Sequence, residues 1–427
     1  MKGWTYKRID ELGDIITGKT PSSEYPDEFG NEYPFVTPTD ISSTQKVITV
    51  ERFLSEKGKE KLKRLLLPKK SSCVVCIGAT IGKTCMTQTL SFSNQQINTI
   101  LPNKENNKDF VYYIATTLRD SLISFAGGSA TPIINKSVFS SIKVNIPRLP
   151  IQRKIAAVLS AYDGLIENNN RRIALLEKMA EELYREWFVR LRFPGHEKVK
   201  IIKGIPEGWE VKKIENAFQY LGGGTPSTNN QSYWYGNINW YSPTDLTSLK
   251  ALFSFHSKNK ITDLGLKESS AKIFPKYSIM MTSRATIGQV SINTTPACTN
   301  QGFITCIPND SFPYTFLYYW LKLNKDYFIQ LSNGATFLEL TKGKFKKINI
   351  IQPLTHIIKL YDNLQKNNFK KIEILLKQNI NLTTTRDRLL SCLMSGRIDV
   401  EHMDIKFPLS MLEQDKIDAD EGVSRGA

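Results

Sequence analysis

Gly78-Ala79-Thr80-Ile81-Gly82-Lys83-Thr84 is the stretch whose residue types come nearest to chemistry. A glycine-rich turn ending in Lys-Thr can cradle phosphates with backbone N–H groups, but this one is a residue short of G-x-x-x-x-G-K-[ST]. Its counterpart later in the chain, Arg284 to Val290, has Gln289 where the lysine would stand. A tight turn whose glycines let backbone approach a phosphate or a DNA groove accounts for both copies better than a nucleotide site does. Cys73 and Cys76 form a lone C-x-x-C in a strand-like run, with no second Cys or His pair at zinc spacing, and read as buried thiols. His196, His256, His356 and His402 are scattered. There is no G-x-S-x-G elbow and no dinucleotide fingerprint. The absence of any Pro-Pro dipeptide removes the Asn/Asp-Pro-Pro-Tyr/Phe motif of adenine methyltransferases. Catalysis by this chain alone has no support, and no cofactor or metal is expected in it.

Binding features remain. The formal net charge is +16, and the segment 401–427 runs against it with seven acids to three bases, so residues 1–400 carry +20. A folded part this basic points to a polyanion, most simply nucleic acid. The acidic segment reads as a flexible tail outside the core function. Dispersed cysteines suggest reduced thiols in a cytoplasm. No run approaches the 18 apolar residues of a membrane span, and Met1-Lys2-Gly3-Trp4-Thr5 has no apolar signal core.

The candidate DNA contacts sit in polar, Gly-rich loops. In the first half they are Thr20, Thr37, Thr39, Gly78, Thr80 and Lys83, followed by Asn94, Gln95, Gln96, Ser129 and Thr131. In the second half they are Thr225, Ser242, Thr244, Arg284 and Thr286, followed by Gln289, Asn300, Gln301, Asn333 and Thr336. Asn and Gln can pair two-fold with adenine and Arg with guanine, while Ser, Thr and backbone N–H suit phosphates. Any one of these residues is more simply turn chemistry. As a set they favour DNA, because charge and repetition point the same way. Where the copies differ, as at Gly78/Arg284 and Lys83/Gln289, sequence readout is the more plausible role.

The elements that must position these loops are duplicated. Gly3-Trp4 returns as Gly208-Trp209, Gly18-Lys19-Thr20-Pro21-Ser22 as Gly223-Gly224-Thr225-Pro226-Ser227, and Thr37-Pro38-Thr39-Asp40 as Ser242-Pro243-Thr244-Asp245. Ala79-Thr80-Ile81-Gly82 returns as Ala285-Thr286-Ile287-Gly288, and Asn94-Gln95 as Asn300-Gln301. Short apolar runs at Cys73–Ile77, Ile97–Leu101 and Ile142–Ile146 read as strands, and Phe110–Ser124 and Tyr314–Leu331 as helices. Each globular unit is therefore expected to be α+β, with a twisted, mostly antiparallel sheet.

A long helix should follow each unit. Ile155, Leu159, Tyr162, Ile166, Ile173, Leu176, Ala180, Leu183 and Trp187 step by four and three, the 3.5-residue repeat of a coiled-coil seam. Asn169 interrupts that seam and Asn368 is its repeat, so both are candidates for fixing register. Tyr162-Asp163 and Arg171-Arg172-Ile173 recur as Tyr361-Asp362 and Lys370-Lys371-Ile372. The expected organisation is a first globular unit (1–148), a long helix (149–193), a linker with the second unit (194–353), a second long helix (354–400) and the tail (401–427). The two helices pack most simply as an antiparallel coiled coil with pseudo-twofold symmetry between the halves.

In this order of fragments the chain closely resembles the specificity subunit of type I restriction–modification enzymes over residues 1 to about 400. The resemblance rests on Gly-Trp near the start of each half, the Gly-x-Thr-Pro-Ser turns and Gly-Ala-Thr-Ile-Gly. It also rests on the helix start Pro147-Arg148-Leu149-Pro150-Ile151-Gln152, on Leu183-Tyr184-Arg185-Glu186-Trp187-Phe188 and on Leu393-Met394-Ser395-Gly396-Arg397-Ile398. It implies two target recognition domains, each reading half of a bipartite site in double-stranded DNA. It further implies paired helices that set the spacing and dock two methyltransferase subunits, with two motor-nuclease subunits completing the enzyme. S-adenosylmethionine, ATP and magnesium would belong to those partners. The second helix start, Gln352-Pro353-Leu354-Thr355-His356, departs from the pattern by lacking Gln at the expected place. Two rival readings are a self-contained nucleotide-dependent DNA enzyme and a stand-alone DNA-binding protein without methyltransferase partners.

Overall fold

The computed structural model describes residues 3–41, 46–126, 133–332, 338–408 and 411. They form two compact units: Met1–Asn168 with Ile380–Ala427, and Asn169–Asn379. Each unit therefore takes in part of both long helices.

In unit 1 the core sheet is antiparallel, in the order Gly13–Thr17, Ile97–Pro102, Ser72–Val75, Thr84–Met86. Ser72–Val75 is buried on both faces, which is why its sequence shows an unbroken small and apolar run rather than alternation. A second sheet runs Phe29–Gly30, Arg52–Leu54, Tyr33–Val36, Phe92–Ser93, and its last pair is parallel. Trp4–Arg8 pairs with Lys143–Pro147. Unit 2 repeats the plan. Gln219–Gly222, Phe303–Ile307, Ile279–Thr282, Val290–Asn293 and Phe253–Ser254 make the core sheet, and Trp234–Tyr241 pairs in parallel with Ala297–Thr299. The mostly antiparallel α+β expectation thus holds, with parallel pairs added where loops must end side by side.

Each expected single helix after the core strands is two. Lys108–Thr116 is followed by Arg119–Phe125, and Tyr314–Leu323 by Lys325–Leu331. The breaks are local: Thr117 N–H donates to Ile114 O in a tightened last turn, and Asn324 Nδ2 caps Trp320 O. The second helix of each pair then starts against a glycine. A Cβ on Gly82 would lie 2.7 Å from Arg119 Cα, and one on Gly288 2.6 Å from Lys325 Cγ.

The first long helix spans Leu149–Tyr184 and ends in a π turn over Arg185–Val189; the second spans Thr355–Met394. Along the expected seam Ile155, Leu159, Ile173, Ala180 and Trp187 are buried, and Tyr162, Ile166, Leu176 and Leu183 are half-buried. In unit 1, Ile151, Ile155 and Leu159 share a core with Leu393. In unit 2, Ile173, Ala180 and Tyr184 share one with Ile358, Tyr361, Ile372 and Leu375. Asn169 is buried and donates to Asn379 Oδ1 at 2.9 Å, and Asn379 donates to Asn170 at 2.8 Å. Its partner is thus Asn379, not the repeat-related Asn368, which lies half-buried beside Gln365. Gln365 is fully buried and donates to Ala180 O.

The acidic C-terminal segment begins against unit 1. Glu401 accepts from Arg148, and Lys154 Nζ donates to the Glu401 and Met403 carbonyls.

Candidate nucleic-acid interface

Parallel pairing of Tyr33–Val36 with Phe92–Ser93 makes both strands end together, and the loops that follow them meet there. Asn94 N–H donates to Val36 O, Lys19 N–H to Ser93 O, Cys76 N–H to Gln96 O and Ile134 N–H to Cys76 O. The four described loops of unit 1 singled out in the sequence are thereby tied into one cluster. Unit 2 uses the same ties: Asn300 N–H to Tyr241 O, Gly224 N–H to Thr299 O, Ser283 N–H to Gly302 O and Leu340 N–H to Ser283 O. Close approach needs glycine. A Cβ at Gly18 would stand 2.1 Å from Ser93 O, and one at Gly223 2.0 Å from Asn300 O.

The candidate residues divide by what their side chains already do. Thr37 donates N–H and Oγ1 to Asp40 Oδ2 at 2.7 Å each, and Ser242 does the same to Asp245 at 2.7 and 2.6 Å. In unit 2 these bonds form a capping box that opens the helix Pro243–Leu249, and in unit 1 the same bonds close a turn with no helix directly after it among the described residues. Asn94 and Asn300 fold back onto the N–H groups of Gln96 and Gly302 as Asx turns. Gln96 also receives the Asn94 amide. Outward-facing groups remain. Thr39, Thr244, Gln95, Gln301 and Thr286 are exposed. Thr20 donates to Gln95 at 2.7 Å, and Thr225 to Gln301 at 2.6 Å. Exposed Arg284 is paired with Glu339 at 2.9 Å. Gly78, Thr80, Lys83 and Gln289 are half-buried at the edge of the cluster. Ser129, Thr131, Asn333 and Thr336 lie outside the described residues.

The phosphate-loop resemblance of Gly78–Thr84 ends at the backbone. The segment is a hairpin between Ser72–Val75 and Thr84–Met86, with no helix after it. Ile81, Gly82 and Lys83 N–H groups donate to Gly78, Val75 and Thr80 carbonyls, so they do not converge on a bound anion. Gly288 N–H is likewise spent on Thr282 O. The residues of this turn do not fit the phosphates of a nucleotide. Among the described residues no group of His, Cys, Asp and Glu is placed to hold a metal. All six cysteines are free, and burial pushes the Cys76 thiol up to about 11.

Two roles were missed in the sequence. Asp40 and Asp245 organise the cluster, and the [ST]-x-x-D spacing that announces a capping box was readable. Gln152 is buried inside its own unit, where its amide holds Asn106 Oδ1, Pro147 O and the Asn107 N–H. Asn107 in turn caps Lys108–Thr116. Nothing in the local sequence announced that contact.

Two copies of one α+β unit, each gathering polar loops at one place on a basic chain, define a duplicated binding module. A profile of the type I restriction modification DNA specificity domain matches residues 1–178 and again 206–390. The chain belongs to that family. The specificity subunit of the type I restriction enzyme MjaIX of Methanocaldococcus jannaschii is 37% identical over 205 residues, 46% of this chain; the match spans 48% of that relative. The HindI specificity subunit of Haemophilus influenzae is 26% identical over 345 residues, 66% of this chain and 75% of the relative. The crystal structure of the type I restriction–modification S subunit from M. genitalium superposes with a TM-score of 0.57 at 18% identity, over 91% of this chain and 96% of that one. That likeness is one of fold. Among the described residues no helix is long and apolar enough to cross a membrane.

Proposed function

We propose that this chain is the sequence-specific DNA-recognition subunit of a type I restriction–modification complex, each loop cluster reading one half of a bipartite duplex target. The single observation that carries the reading is that the cluster is built twice with the same bonds, Thr20 to Gln95 and Thr225 to Gln301. The helices pair as an antiparallel coiled coil that sets the spacing between half-sites and docks two methyltransferase subunits. Support comes from unit 2, where Asn169 meets Asn379 while Ala180 meets Gln365: rising numbers on one helix meet falling numbers on the other. Two motor-nuclease subunits complete the assembly, in the cytoplasm. S-adenosylmethionine, ATP and magnesium belong to the partners in this reading, and in keeping with it the Gly78–Lys83 turn spends its Ile81, Gly82 and Lys83 N–H groups on carbonyls of its own hairpin.

The test is methylation mapping in cells carrying the chain with its methyltransferase partner. Replacing residues 1–147 with the equivalent part of a relative should change one half of the methylated sequence and leave the gap intact. A change in both halves would mean that the units read jointly. A chain that never co-purifies with a methyltransferase would be a stand-alone DNA-binding protein.

A further inference from the structure

Unit 2 carries a recess that the shared loop cluster does not explain. It is an open recess of about 500 Å3 between Thr228–Gly236 and Lys258–Lys260. Its rim is Tyr235, 87% exposed and held at φ +63°, in the left-handed region that disfavours side-chain-bearing residues. The strand is bulged here, since Trp234 and Ile238 both pair with Ile261. Bulges re-aim side chains, and backbone strain collects at functional sites. On the facing side, Asn259 is exposed and Lys260 half-exposed in the strand Asn259–Ile261, and Lys258 just before it is exposed.

The recess is continuous with the candidate interface. Trp234 Nε1 donates to Ser227 O and Trp240 Nε1 to Gly224 O, both on the loop that holds Thr225. Lys258 N–H donates to Asp245, the acid that shapes the Ser242–Asp245 turn. Unit 1 has the same bulge, since Phe29 and Tyr33 both pair with Leu54, but its residues are Gly30, Asn31 and Glu32. Facing them, Glu51 makes the bond to Asp40 that Lys258 makes to Asp245, and Phe53 stands where unit 2 has Lys260.

We infer that this recess is a second DNA contact found in unit 2 alone: Tyr235 meets a base edge or sugar in the groove of that unit's half-site, and Lys258 and Lys260 take the flanking phosphates. The inference rests on the DNA-recognition reading above and deepens it. Two cations and no acid among the facing residues suit a polyanion. A large ring with a polar tip, carried on a backbone held by the bulge, has only two side-chain torsions to give up on binding.

The test uses the full chain and a pool of random-sequence DNA duplexes, with the bound fraction sequenced. Tyr235→Gly relieves the left-handed strain, so its Tm should equal or exceed that of the parent. Its selected motif should lose about tenfold or more discrimination at one or two base pairs, in one half only. Lys258→Gln with Lys260→Gln should keep the motif, weaken binding to every sequence and reduce the slope of log K against log salt by roughly two. Variants that select the parent motif with the parent salt slope would overturn the inference, as would a Tyr235→Gly change spread over both halves. A parent chain that selects no motif at all would overturn the DNA-recognition reading, and this inference with it. Selection by the parent together with unaffected variants removes the inference alone.

Discussion

The two units secure the same repeated helix residues by different chemistry. In unit 1, Asp163 takes the Tyr113 hydroxyl at 2.5 Å and the Arg386 guanidinium at 2.7 Å, and Arg386 also holds Asp387. Burial opposes the charge on Arg386, but its two acids raise its pKa above the ordinary value. Beside them Lys46 donates to Ser160 and pairs with Asp109 at 2.6 Å, and Lys70 pairs with the same carboxyl at 3.0 Å. In unit 2 the repeat-related Asp362 has only a hydroxyl, Thr315 at 2.7 Å, and Lys366 of its own helix among its described partners. The space is filled with rings instead. Phe188 lies 4.9 Å from Phe316 and 4.8 Å from Tyr361 by ring centroids, and Phe369 packs edge-on against Phe253, Tyr318 and Tyr319. A duplication therefore conserves positions while the interaction at each position drifts. Charge networks answer to pH, and aromatic area does not.

The largest effect should come from the aromatic side. Phe369 is fully buried, so Phe369→Ala should destabilise unit 2 by about 4 kcal/mol through lost burial and a residual cavity. Hydrogen exchange of peptides from 355–379 reads it, and the loss should be the same at pH 4 and pH 7. A pH-dependent loss would show that charge matters in unit 2 as well.

Next in size is Asp109→Asn in unit 1, expected to cost about 3 kcal/mol at pH 7 by leaving Lys46 and Lys70 facing a neutral group. Burial pushes the Asp109 carboxyl up, yet the two lysines outweigh it and hold its pKa below the ordinary 3.8. A carboxyl depressed in the folded state stabilises at pH values above its unfolded pKa. That stabilisation is lost as pH falls through the lower folded value. The difference between parent and variant should therefore be constant above about pH 5 and shrink below the ordinary 3.8. Exchange protection of peptides from 108–116, followed against pH, checks this. A difference that persists undiminished at pH 2 would assign the effect to packing.

The smallest effect belongs to the polar layer in unit 2. A double-mutant cycle of Asn169→Ala and Asn379→Ala should give a coupling of about 1 kcal/mol, as for one partly buried hydrogen bond. No coupling would mean that each amide serves a different partner.

Local information in the sequence was enough for the duplication, the element types and the identity of the turn residues. Apolar runs such as Cys73–Ile77 mark strands because a short, β-rich run bounded by turn residues is a signal carried by neighbours along the chain. Gly18 and Gly223, Asn94 and Asn300, and Thr37 and Ser242 could all be recognised as turn and cap residues, since those conformations are decided within a few positions. The seam of the long helices was legible for the same reason. Contacts between distant residues were not. That Thr20 reaches Gln95, that Asn169 finds Asn379 in preference to its repeat Asn368, and that Gln152 turns inward to Asn106 depend on how sheets and helices stack. So does the meeting of Tyr235 with Lys258 and Lys260 across a bulge. Local preference and the apolar pattern decide which elements form, and both are written in the order of residues. Which side chains then face one another is decided only when the elements close-pack, because an element's pairing partner and register cannot be read from its own residues.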